Sequence, residues 1–131
     1  MANIPGSGIP GKVTMPTVVN GTDSRPFSVA SGAKVMSVYV PELVGAATTL
    51  KLQALAPQVD DVDAETWLDV ATFNLITGAN PPIVLDEIPE LACTTIPVSA
   101  TGAGPLRFVA SVAQTGAADA ISIRLRFGQD G

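Results

Sequence analysis

Proline and glycine interrupt this chain from one end to the other, eleven and twelve times in 131 residues. Proline fixes φ and removes a backbone donor, and glycine is costly inside a helix, so little room remains for a long helix. What fits between the breaks is a series of short strands joined by turns. The segments themselves carry that signal. In residues 119–127, DAISIRLRF, the apolar Ile121, Ile123, Leu125 and Phe127 alternate with Ser122, Arg124 and Arg126. Successive side chains of a strand point to opposite faces, so this spacing gives one apolar and one polar face. Residues 47–75, ATTLKLQALAPQVDDVDAETWLDVATFNL, read as two strands joined by an acidic loop. The first arm places Leu50, Leu52, Ala54 and Ala56 opposite Thr49, Lys51, Gln53 and Leu55. The second, from Thr66 to Leu75, carries Trp67, Ala71 and Phe73 on one side and Leu68, Val70 and Thr72 on the other. Both of its faces are therefore expected to bury something, as in a strand between two layers.

The rest of the chain extends the pattern. Residues 1–11 hold two prolines and three glycines, with Ile4 and Ile9 as the only large apolar side chains. They read as an extended N-terminal arm that cannot fold alone, either a frayed terminus or an arm that lies along a neighbouring subunit with Ile4 and Ile9 as its anchors. A first strand follows over 12–19, and Pro16 within it argues for a sheet edge. Asn20-Gly21 suits a tight hairpin turn, and the sequon it forms with Thr22 is read as that turn. Further strands are expected over 26–30, 34–40, 83–85, 93–98 and 106–113. In the last of these Leu106, Phe108, Ala110 and Val112 share a face, and Cys93 is expected to be a small buried hydrophobe. The total is about eight or nine strands at spacings typical of a sandwich. The fold class is all-β: an arm over 1–11, then one two-sheet β-sandwich over 12–131 with jelly-roll or Greek-key connections.

Composition narrows the function more by exclusion than by assignment. A net charge of −5, with only seven scattered basic residues, argues against a nucleic-acid surface. No run of ~18 apolar residues offers a membrane span, and the N-terminus lacks the pattern of a secretory signal. The chain has no histidine and a single cysteine. Those two facts remove the commonest general base, the Ser-His-Asp triad, an internal disulfide and cysteine-based metal sites. No enzyme activity and no cofactor are expected. Asp60, Asp61, Asp63 and Glu65 are oxygen donors of the kind a hard cation takes, but they do not follow the calcium-loop spacing. They read first as a solvated loop tip. Trp67 is a candidate for partner contact, with sugar stacking as the alternative. Arg124 and Arg126 project from one face of the last strand, with Arg107 placed near them. Only 15% of residues are charged and mean hydropathy is +0.38, which points to apolar surface covered by other subunits.

With these residues laid out, the chain resembles small jelly-roll structural proteins of tailed-bacteriophage virions. The resemblance is carried by the arm MANIPGSGIPG and the histidine-free Ala/Val/Thr-rich body. Two phrases add to it: LKLQALAPQ…AETWLDVATFNL, with its W-x-D-V, and LRFVASVAQTGAADAISIRLRF, with its L-R-F-V. Such a likeness implies a protein made in the host cytoplasm and incorporated in the virion. There it would bind the major capsid protein or another virion protein as a decoration or cement subunit. It would do so as a homo-oligomer, a trimer by slight preference. A neck or tail adaptor, and a carbohydrate- or receptor-binding module, are the alternatives.

Overall fold

The computed structural model describes residues 8–72, 83–84, 87–98, 101 and 104–129. The described residues form an all-β body of two antiparallel sheets without helix. The strands are β1 (Ile9–Met15), β2 (Val35–Val40), β3 (Thr49–Leu55), β4 (Trp67–Asp69) and β5 (Ala71–Thr72). They continue with β6 (Ile83–Val84), β7 (Ile88–Pro89), β8 (Ala92–Pro97), β9 (Leu106–Ala110) and β10 (Ile121–Gly128). Several are only two or three residues long, so the described strands outnumber the eight or nine expected.

The first sheet runs β1-β10-β2-β8. In the second, β3 is flanked by β9 on one side and by β4 and β7, end to end, on the other. A small β5–β6 pair stands apart from both. The free side of β9 is closed by residues 22–27. Ser24 N–H donates to the Phe108 carbonyl, Phe27 and Leu106 exchange both backbone bonds, and Ala110 N–H donates to the Thr22 carbonyl. The Ser24 hydroxyl stands in for a carbonyl and accepts from Phe108 N–H at 2.8 Å. The segment over 26–30 is therefore not a strand: only Phe27 of it bridges β9, and residues 22–27 form a covering strap held by two isolated bridges, at Asp23 and Phe27. Its role is to occupy an otherwise open sheet edge.

One core lies between the sheets. Val13, Met36, Val38, Ile123, Leu125 and Phe127 enter it from the first sheet, and Leu50, Leu52, Ile88, Leu106 and Phe108 from the second. Phe27 of the strap stacks on Phe108 with ring centroids 5.2 Å apart. Full burial of side chains of this size contributes about 1.5–3 kcal/mol each. The period-two faces of β3, β9 and β10 match those of the sequence.

Four expectations are corrected. Ile9, Pro10 and Gly11 do not belong to an arm. They pair with Phe127, Arg126 and Leu125 as the start of β1. Gly11 permits this because a Cβ there would lie 3.2 Å from the Phe127 ring. Ile4 lies outside the described residues. Cys93 is exposed, because Ile96 sets which residues of β8 point inward and Cys93, three positions away, faces out. Leu68 is exposed and Val70 buried, so β4 does not bury both faces; it extends past the end of the core. Phe73, assigned to its other face, lies outside the described residues. Val112 follows the last residue of β9 and is exposed rather than inward. As expected from Pro16, β1 is an edge strand.

Candidate functional site

The acidic hairpin tip is ordered by its own side chains. Asp63 Oδ2 accepts from the backbone N–H of Val59 at 2.8 Å and of Asp60 at 3.0 Å, and Gln58 Nε2 donates to the Asp63 carbonyl. Donation from Asp60 and then Val59 N–H stabilises the ionised carboxylate and holds the Asp63 pKa below its ordinary range. Glu65 Oε1 accepts from the Trp67 indole N–H at 2.9 Å. Asp60, Asp61, Asp63 and Glu65 thus occupy one loop with two of the four committed to loop structure. No group of three or more metal-ligating side chains gathers among the described residues.

Trp67 is half-buried, and the Arg107 guanidinium lies over its ring at 4.5 Å. Arg107 also donates to Gln53 Oε1 and pairs with Asp23 at 3.3 Å. Gln53 in turn donates to Asp69, which pairs with Lys51 at 3.7 Å. The outer face of the second sheet is therefore a connected polar network in which both cations have partners. Arg107 belongs to this face, on β9, and not beside Arg124 and Arg126 as expected. Sequence spacing gave no means of seeing this, because β9 and β10 lie in different sheets.

The outer face of the first sheet differs. Lys12, Arg124, Tyr39 and Cys93 lie opposite one another in a row across its four strands, and Pro10, Arg126, Ser37 and Thr95 form the next row. Arg126 sits 5.9 Å from the Tyr39 ring. A shallow depression of about 370 Å³ opens there, lined by Pro10, Gly11, Tyr39, Arg124, Leu125 and Arg126.

A third surface is the end of the sandwich opposite the hairpin tip, where residues 16–22, 41–48, 90–91 and 111–115 meet. Gln114, fully buried, ties these loops together. Its Oε1 accepts from Val44 N–H at 2.8 Å, and its Nε2 donates to the carbonyls of Val112 at 2.8 Å and Val44 at 3.2 Å. Its own N–H donates to the Gly21 carbonyl. Glu90 accepts from Leu43 N–H and draws the β7–β8 turn to the same place. Around these polar ties stand five exposed aliphatic side chains: Val18, Val19, Val44, Leu91 and Val112. Leu91 is 73% exposed and has φ of 56°. A left-handed backbone costs a non-glycine residue about 1–2 kcal/mol. This turn therefore presents a large apolar side chain to solvent in spite of two unfavourable terms. The sequence did not reveal this end, since its residues come from four separate loops with no shared motif. No family model, no curated protein and no solved structure matches the chain.

Proposed function

We propose that this protein is a non-enzymatic structural component of a tailed-phage virion, a decoration or cement subunit that binds the head and stabilises it. Its partner in that reading is the major capsid protein or another virion protein. The strand order supports the architectural part. With the 22–27 strap counted as a strand, the sheet orders β1-β10-β2-β8 and strap-β9-β3-β4/β7 are compatible with jelly-roll connections and support that part of the reading. The observation that carries the functional part is the apolar loop end centred on Leu91. Several exposed aliphatic residues gathered at one end of the sandwich favour a protein contact there, and strained backbone at an exposed apolar residue points the same way.

The test uses purified particles. Particles carrying the wild-type protein should retain their genome to a higher temperature than particles lacking it. Leu91→Asp with Val112→Asp should abolish its recovery on the shell while leaving the circular dichroism of the free protein unchanged. Genome release at the same temperature with and without the protein, and no copy on the head, would sink the reading. Recovery at the neck or tail instead would move the same surface to an adaptor role.

A further inference from the structure

The charge of this chain is divided between its two ends and faces. Of seven basic residues, Arg25, Lys51 and Arg107 are ion-paired with Asp119, Asp69 and Asp23. Lys12, Arg124 and Arg126 all project from the outer face of the first sheet, and none is in an ion pair among the described residues. The outward positions of its four strands carry no acidic residue. Lys12 lies directly opposite Arg124, and like charges at such a cross-strand position repel. In a protein of net charge −5, this face keeps an uncompensated positive field around a depression whose apolar surface is Pro10 and the Tyr39 ring.

The complement is present in the same chain. The hairpin tip carries Asp60 and Asp61 beside Val59 and Val62, which are 81% and 89% exposed. The Asp63 carboxylate already holds this loop in shape, so docking it costs little further ordering. Two carboxylates flanked by bare valines match a depression that offers cations at its rim and the Pro10 and Tyr39 side chains as apolar surface. A phosphate backbone would satisfy the cations but leave the Pro10 and Tyr39 surfaces unused.

We propose that the outer face of the first sheet, over this depression, docks the 57–66 hairpin tip of a second copy of the chain. Val59 and Val62 enter the depression beside Tyr39, and Asp60 and Asp61 meet Lys12, Arg124 and Arg126. The two patches differ, so the contact is either reciprocated in a two-fold pair or carried head to tail around a closed ring. The inference goes beyond the function proposed above: it concerns contacts between copies of this chain and does not depend on binding to the phage head.

The experiment measures the mass of the full chain in solution by sedimentation, as a function of concentration and salt. The wild type is expected to be oligomeric, and to dissociate as the screening length falls from about 10 Å at 0.1 M salt to about 3 Å at 1 M. R124E/R126E and D60K/D61K should each weaken association on the order of tenfold or more. Mixing the two variants should restore a complex, because each supplies the patch the other has lost. Val59→Ser with Val62→Ser provides an uncharged variant with the same expected loss. A monomeric wild type, an oligomer that survives either charge reversal, or a mixture that stays monomeric overturns the inference. A monomer that still binds the phage head would overturn it and leave the decoration reading intact.

Discussion

Replacing Gln114 by methionine tests whether one buried amide holds the apolar loop end together. Methionine has a similar length and no group that can replace the amide's bonds. Three bonds from the side chain disappear: one to Val44 N–H and one each to the carbonyls of Val112 and Val44. The Val44 carbonyl keeps the Thr48 hydroxyl at 2.7 Å, so two backbone groups lose these side-chain partners. A buried polar group left unsatisfied costs about 1–3 kcal/mol. The flanking loops are exposed enough for water to reach part of the gap, which places the loss at about 2–3 kcal/mol. An unfolding entropy of about 2.1 cal/mol/K per residue gives about 0.28 kcal/mol/K for this chain. The melting temperature should therefore fall by about 7–11 °C, read by circular dichroism or calorimetry. Gln114→Glu supplies the internal control. Its carboxylate faces two carbonyls at neutral pH, whereas its protonated form can donate to one of them. The folded state then holds the proton more tightly than the unfolded chain. The variant gains stability below the ordinary glutamate range and loses it as pH rises through the folded value. A Gln114→Met protein melting within ~2 °C of wild type, or a Gln114→Glu protein with no such acid recovery, would refute this account of the loop end.

Two further outcomes follow from the same kind of accounting. Ser24→Ala removes the acceptor of the Phe108 N–H in the strap that closes β9 and should cost about 1–3 kcal/mol in chemical denaturation; an unchanged midpoint would mean the strap is held by its backbone bonds alone. Asp119 accepts from Arg25 and Thr14, in that order of importance, and its pKa is lowered. Its contribution is present above the ordinary aspartate range and lost as pH falls through the lower folded value. In a carboxyl-carbon titration Asp119 should stay ionised after unperturbed aspartates have protonated, and Arg25→Gln should erase most of that lag. Coincident titration before and after the substitution would contradict the pairing.

Much of the sheet content was legible because a strand's period is local. Leu50 and Leu52, or Ile123, Leu125 and Phe127, declare their inward face by spacing alone, and Ile96 could have declared that Cys93 points out. The acidic hairpin was equally plain, since its two arms and its loop are contiguous. Partnerships between distant segments were not legible. Ile9 to Gly11 look like a loose arm until β10 is seen to be their hydrogen-bonding partner. Residues 26–30 look like a strand until Phe27 alone among them is seen to bridge β9.

The sequence by itself determined an all-β body, the inward faces of its longer strands and the absence of histidine chemistry. Each depends only on residue type and on spacing within one segment. Tertiary structure decided which strands are neighbours, and therefore where charge and apolar surface collect. Lys12 meets Arg124, and Arg124 meets Tyr39, through sheet register, and Val18, Val44, Leu91 and Val112 share one end through loops that Gln114 binds together. Register and loop convergence are set by hydrogen bonds and packing between segments far apart in the chain, and no local pattern encodes them.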